Sequence, residues 1–270
     1  MRRFTRAILL AAAVVGSAGC DGDTDAAEAP VRPEGAVART RAILPGGRVV
    51  LVTIDGVRWQ EGPDTCGVVR AVGGANVSMP GYIEIFTGDR TSPRVDRPTI
   101  FDEVATALAK PATSIDSWPV LEKTVTSRTD RVGVSAGTMA WRGPAPEHAS
   151  GIPAMVAEQA NLDPGPGGPG YRPDAFTSEL ALAYLREERP ALFHVGLVDT
   201  DEWAHKDDYP RYLTALRHAD EVVGAIADHL EVTGALDRTT VIVAADRVAD
   251  RGPTDPRDRR RVIALPRFVR

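Results

Sequence analysis

The chain has 270 residues, 43% of them hydrophobic, and a formal net charge of −5, enough apolar material for one α/β domain with a substantial core. The charge falls to −8 when residues 1–19 are set aside with Arg2, Arg3 and Arg6, a balance that excludes a general nucleic-acid surface. Two cysteines in the whole sequence exclude a disulfide framework.

Residues 1–19 have the layout of an export signal: the basic MRRFTR, the short apolar AILLAAAVVG, then small residues before Cys20. The apolar run is too short to cross a bilayer, which needs about 20 residues. SAGC resembles a bacterial lipobox, with Ser17 standing where that motif prefers an aliphatic residue. It implies cleavage before Cys20, lipidation of the Cys20 thiol, and a chain exported and held on the membrane of the cell envelope by that anchor. The plain alternative is a secretory signal with a chance cysteine. Residues 20–45, rich in Asp, Ala, Pro and Gly without apolar periodicity, read as a flexible tether. The folded domain is expected over 46–270, with an atypical or truncated end after about residue 246.

Within the domain, strands are predicted at Val49–Ile54, Arg131–Ser135, Ala191–Val198 and Thr239–Ala245. Runs such as VVLVTI and VIVAA are nearly all apolar, as in strands covered on both faces. Thr99 is a predicted helix N-cap with Asp102 at the third helical position, and Phe101, Val104 and Leu108 share one face of that helix. Further helices are predicted at Asp174–Glu188 and Tyr209–Val232, the latter carrying Tyr212, Leu216, Val223, Ile226 and Leu230 near helical spacing. DPGPGGPG at 163–170 is a turn-forming loop, a lid or insertion edge. The alternation of strand and helix predicts a mainly parallel sheet with flanking helices.

Acidic residues stand where the buried strands end: Asp55, then Asp199 and Asp201, then Asp246. Ligands of open α/β sheets bind beyond the carboxyl ends of the strands, and converging carboxylates there suit a hard cation. Asp55 has a simpler role open to it, capping the following turn. Ser78 precedes Pro80, a residue suited to the first turn of a helix. A serine there sits where helix N–H groups favour an anion and becomes a nucleophile if a metal lowers its pKa; the alternative is an ordinary N-cap. Asp201 and His205 are four residues apart, so one helical turn brings them to the same side, a partial metal shell or a surface pair. Of the other histidines, His194 reads as strand packing and His218 and His229 as helix surface, with no role for His148 or Cys66.

Taken in order, VVLVTIDGVR, NVSMPGYIEIFTG, GLVDTDEWAH and TVIVAAD resemble the alkaline phosphatase superfamily, especially its nucleotide pyrophosphatase/phosphodiesterase and sulfatase-like branches. The resemblance covers about Arg48 to Asp246. It implies an alkaline-phosphatase-like three-layer α/β/α sandwich with a mainly parallel sheet. It also implies a metal-dependent hydrolase of phosphate mono- or diesters, or of sulfate esters, acting on a small-molecule ester. Two divalent ions, zinc in most of the family, would be held by Asp55 and Asp246 on one side and Asp201 and His205 on the other. Ser78 would lie between them as nucleophile. The family reads Asp-His-Gly where this chain reads Asp246-Arg247-Val248, and no histidine follows His229. Each ion therefore lacks one expected ligand, and the obligate cation Arg247 would repel a metal. The alternative is a catalytically impaired member that binds an anion, with Arg247 as a contact. Residues 247–270 hold eight arginines, which reads as a solvated tail, a contact for an anionic surface, or the product of an altered reading frame.

Overall fold

Mainly apolar runs of five to seven residues become parallel strands in the computed structural model, which describes residues 47–57, 78–88, 95–128, 130–161, 165–245 and 264–265. The strands are β1 (Arg48–Ile54), β2 (Ala112–Asp116), β3 (Val132–Ala136), β4 (Leu192–Leu197), β5 (Thr239–Ala244) and β6 (Ala264–Leu265). The helices are α1 (Ser78–Thr87), α2 (Ile100–Leu108), α3 (Glu122–Val125), α4 (Ile152–Gln159), α5 (Asp174–Glu187), α6 (Asp199–His205) and α7 (Tyr209–Val232). The sheet order is β3-β2-β4-β1-β5-β6; β1 to β5 are parallel, and β6 runs antiparallel to β5.

Successive side chains of a strand point to opposite faces, and that alternation builds two cores. Val50, Val52 and Ile54 of β1 join Phe193, Val195 and Leu197 of β4 on one face, packed with Leu180 and Tyr184 of α5 and Val222 and Ile226 of α7. Leu51 and Leu192 join Val132 and Val134 on the other, packed with Tyr82 and Phe86 of α1 and Phe101 of α2. The molecule is thus the expected three-layer α/β/α arrangement. Each fully buried large apolar side chain in these layers contributes about 1.5–3 kcal/mol.

Helix α7 spans the residues that the sequence period marks, and Tyr212, Val223, Ile226 and Leu230 are buried with Leu216 partly so. At α2 the predicted cap is complete: Asp102 N donates to Thr99 Oγ1 at 3.3 Å, and Thr99 N donates to Asp102 Oδ2 at 3.0 Å. Leu108 corrects the expected apolar face, because it is 47% exposed and the buried positions are Phe101, Asp102 and Ala105. The chain turns into a left-handed C-cap at Ala109 immediately after it, so the last turn leaves the core. The predicted strand ends shift by one residue at most. β5 alternates between buried and half-buried residues instead of being covered on both faces. β2 has no counterpart among the predicted strands.

The topology fixes where the strand-end residues meet. β1 lies between β4 and β5, and Ile54 pairs with Leu197, so Asp55 and Val198 leave the sheet side by side. From β1 the chain moves to one side of the sheet, and from β4 it crosses to the other. The carboxyl end of β1 is therefore a topological switch point, where open α/β sheets form a crevice.

Candidate active site

Asp55 leaves β1 buried, its N–H donating to Leu197 O at 2.9 Å. Ser78 is the first residue of α1, one position further into the helix than the sequence suggests, and is 5% exposed. Its hydroxyl donates to Asp55 Oδ1 at 3.4 Å. Two residues far apart in sequence thus share one hydrogen bond at the head of a helix. Asp201, also buried, lies in the first turn of α6, with Oδ2 3.2 Å from Nε2 of the half-exposed His205.

Two contacts join these pairs. The Thr200 hydroxyl donates to the Asp55 carbonyl. Gly56 adopts φ +67°, and a Cβ there would lie 2.7 Å from Asp201 Cα and 2.8 Å from Asp201 Oδ1. Only glycine combines that left-handed backbone with so close an approach. The turn after β1 and the first turn of α6 are therefore pressed together, bringing Asp55, Ser78, Asp201 and His205 to one corner of the sheet.

Asp199 does a different job from its neighbour. Its Oδ1 accepts from Tyr171 Oη at 2.5 Å and from Asp174 N at 3.2 Å, so it is held against the start of α5. Asp174 reciprocates, accepting from Val198 N at 2.9 Å and Asp199 N at 3.0 Å, and from Ser117 Oγ at 2.5 Å. Burial, and then the neighbouring Asp199 charge, push the Asp174 carboxyl well above its usual range. Burial also raises Asp199, against the pull of the Tyr171 hydrogen bond. Glu202, beside Asp201, is raised by burial and then by the Asp201 charge.

Arg172 is fully buried behind this corner and donates to Thr177 Oγ1, Ser135 Oγ, Asp116 O and Ser135 O at 2.9–3.3 Å. Burial lowers its pKa to about 10, with Asp116 and Asp174 pulling it back up. Nothing in the sequence analysis singles out Arg172, Tyr171 or Asp174, whose buried hydrogen bonds support this end of the sheet. A usable signal was present: a charged pair flanking Pro173, directly before a helix, is a candidate for buried pairing.

His194 packs inside the sheet as expected, but in a polar setting. Its Nδ1 lies 2.8 Å from Ser114 Oγ and 3.1 Å from Asp116 Oδ1, and its Nε2 lies 2.9 Å from Thr53 Oγ1. His218 is half-buried and touches Ser178 Oγ at 3.1 Å, so it is not a bare surface residue. Trp203 stacks under Arg211 and Lys206 at 4.8 and 5.5 Å. A cavity of about 450 Å³ opens at the opposite, amino end of β2 and β3, beside Thr113, Arg131, Gly133, Tyr184 and Glu188. It is remote from the strand-end acids. Cys20, Cys66, Asp246 and Arg247 lie outside the described residues.

The donor types fit the expected ions in part. Asp55 with Ser78 offers oxygen ligands, and Asp201 with His205 offers oxygen and nitrogen, the sets that zinc and similar divalent ions take. Among the described residues no group of three or more His, Cys, Asp or Glu side chains gathers to hold a metal. Asp246, expected to join Asp55, falls outside them.

A mainly parallel sheet with helices on both faces, and Asp55, Ser78 and Asp201 beside its switch point, defines the class of open α/β folds. The sequence profile of type I phosphodiesterase / nucleotide pyrophosphatase matches residues 92–269, and the chain belongs to that family, within the alkaline phosphatase superfamily of phosphoesterases and sulfatases. The match includes Asp201, His205 and Asp246 and begins after Asp55 and Ser78. No protein of curated function matches the sequence. Among solved structures, the chain is similar to a protein in the alkaline phosphatase superfamily from Vibrio parahaemolyticus, at 15% identity and TM-score 0.48, over 82% of this chain and 61% of that one. It is similar to the alkaline phosphatase of the Antarctic bacterium TAB5, at 12% identity and TM-score 0.45, over 75% and 79%. A third is the lipoteichoic acid synthase LtaP from Listeria monocytogenes, at 13% identity and TM-score 0.45, over 79% of this chain and 59% of that one. The chain thus spans less than two thirds of the length of the Vibrio and Listeria proteins.

Proposed function

We propose that this protein hydrolyses phosphate mono- or diesters, or sulfate esters, of small molecules by a divalent-metal-dependent mechanism with Ser78 as nucleophile. The observation that carries the reading is the 3.4 Å hydrogen bond from Ser78 to Asp55, at the head of α1 and next to the Asp201–His205 pair. In this reading Asp55 and Asp246 hold one ion and Asp201 and His205 the other, with zinc the expected metal. Bound there, the ions would lower the pKa of the serine hydroxyl and neutralise charge on the ester oxygens.

The chain's own groups set up the rest. The helix N-terminus at Ser78 supplies N–H groups and the positive end of a dipole to the anionic ester. The Ser78 proton points to Asp55, which leaves the lone pairs of Oγ toward the phosphorus or sulfur. Attack forms the new Oγ–P or Oγ–S bond as the Ser78 proton passes to Asp55 and the bond to the alcohol breaks, the leaving oxygen keeping the electron pair and receiving that proton. Water then cleaves the Oγ–P or Oγ–S bond, releasing phosphate from a monoester, a phosphate monoester from a diester, or sulfate, and restores the serine hydroxyl. Burial of Ser78 and Asp55 excludes bulk solvent from this step. Residues 1–19 are proposed as a lipoprotein signal, Cys20 as the lipid anchor outside the cytoplasm, 20–45 as a tether and 46–270 as the domain.

One sequence feature favours a second reading. With Arg247 in place of a metal-ligand histidine, the protein would be an impaired relative that binds an anion through Arg247 and the α1 N-terminus. Hydrolysis of p-nitrophenyl phosphate, its bis ester and p-nitrophenyl sulfate, with and without added zinc, separates the two. Zinc-dependent turnover that falls by about 10³-fold or more in Ser78→Ala supports the hydrolase. Absence of turnover with all three esters rejects it in favour of the binding protein.

A further inference from the structure

Helices α5 and α6 begin at the same point, and each is capped by the other. Asp199, first residue of α6, accepts from the first N–H of α5. Asp174, first residue of α5, accepts from Val198 N and Asp199 N as the chain passes from β4 into α6. Neither helix has a side-chain cap from its own preceding residue. The first N–H groups of a helix have no partner within it, so this exchange is what fixes the start of α6.

The consequence lies one turn on. Thr200 ties that turn to Asp55, and Asp201 projects against Gly56 from the same turn. With Asp174 on one side and the end of β1 on the other, the turn is clamped between two elements of the frame. Ser117 Oγ supports Asp174 from behind, and Tyr171 supports Asp199. We propose that Asp174 is a positioning residue for the Asp201–His205 pair, its carboxylate setting the entry of α6 and so the direction in which both side chains face. This rests on the reading that Asp201 and His205 hold a divalent ion.

Asp174→Asn distinguishes positioning from simple stability. An amide keeps the oxygen that accepts from Ser117 and Val198 but sets an NH₂ against the Asp199 N–H, so α6 loses one cap and meets a repulsion. The measurement is zinc affinity of the full chain, by competition with a chromophoric chelator, together with exchange of the Val198 and Asp199 amides. Outer partners of metal ligands carry about 10- to 100-fold in affinity, and Asp174→Asn should weaken zinc by that much while both amides exchange faster. Tyr171→Phe, which removes one hydrogen bond from Asp199 and keeps the ring, should weaken zinc by about 2- to 10-fold and decides the matter if Asp174→Asn does not fold. Thr113→Val, which removes a buried 2.8 Å contact with Tyr184 at the other end of the sheet, should lower stability and leave zinc affinity unchanged, because distant sites act independently. Unchanged zinc affinity in folded Asp174→Asn, or an equal loss in Thr113→Val, overturns the positioning role alone. A wild-type chain that binds no zinc overturns the metal reading and this role with it.

Discussion

Gly56→Ala is the sharpest test of the contact that assembles the site. Its φ of +67° belongs to the left-handed region, and the new Cβ would sit 2.7 Å from Asp201 Cα, a backbone atom that cannot swing away. Ordinary carbon–carbon contacts lie at about 3.5–4.0 Å, so the β1 turn and α6 must separate by roughly 1 Å. The left-handed backbone alone costs about 1–2 kcal/mol for an alanine, and overpacking adds about 1–3 kcal/mol. In a domain of this size each kcal/mol lowers Tm by about 2–4 °C, which gives a fall of roughly 4–20 °C. Gly88 provides the control: its φ is +70°, yet among the described residues no heavy atom beyond its chain neighbours lies within 4 Å of the added Cβ. Gly88→Ala should therefore show the strain alone, about 2–8 °C. A misplacement of roughly 1 Å at a reacting geometry can cost about 10²-fold in rate, so only Gly56→Ala should lose hydrolysis beyond its stability loss. Differential scanning calorimetry and ester hydrolysis on the two variants decide it. Equal losses of Tm, or wild-type turnover in Gly56→Ala, would refute the argument that this contact positions Asp201.

Three further outcomes follow from other parts of the structure. Thr200→Val keeps the side-chain shape but leaves the buried Asp55 carbonyl without its hydroxyl donor, and should lower unfolding free energy by about 1–3 kcal/mol in urea denaturation, with Thr200→Ser restoring most of it. Arg172→Met removes the guanidinium that donates to Thr177 Oγ1, Ser135 Oγ and the Asp116 carbonyl, and each buried acceptor left unpaired costs about 1–3 kcal/mol; an unchanged denaturation midpoint would contradict that role. Tyr184 has its phenol pushed up to about 12, first by burial, against a partial lowering by the Thr113 hydrogen bond. The folded state therefore holds this proton more tightly than the unfolded chain, whose phenol titrates near 10. The stability it contributes is complete below about pH 10 and is lost as pH rises toward about 12. Stability measured between those pH values should fall more steeply in the wild type than in Tyr184→Phe, and equal slopes would count against the assignment.

The sequence made the apolar elements legible and hid the polar ones. Helix α7 could be read to the residue because its apolar positions repeat over 24 residues, β1 and β5 announce themselves as branched aliphatic runs, and β4 as a mainly apolar run. β2 escaped because Thr113, Ser114 and Asp116 look like a loop in one dimension. They are buried because His194, Tyr184 and Arg172, all far along the chain, satisfy them. The same blindness affects the site. Position after a strand points to Asp55 and Asp201 as candidates, and helix periodicity pairs Asp201 with His205, which the structure places 3.2 Å apart. That signal treats Asp199 and Asp201 alike, and the structure separates them: Asp199 is bound to Tyr171 and α5, while Asp201 lies against Gly56. Only the packing of β4 beside β1 tells a capping carboxylate from one at the crevice.

In the proposed function this strand-end corner binds divalent metal and uses Ser78 to cleave an ester. Its most direct test is metal content of the full chain by elemental analysis, made on the same sample as hydrolysis of the p-nitrophenyl phosphate, bis ester and sulfate substrates. The expected result is bound zinc, turnover of at least one ester that chelation abolishes and zinc restores, and loss of turnover but not of metal in Ser78→Ala. Metal-free protein that stays inert toward all three esters in added zinc, or turnover that survives in Ser78→Ala, would contradict it.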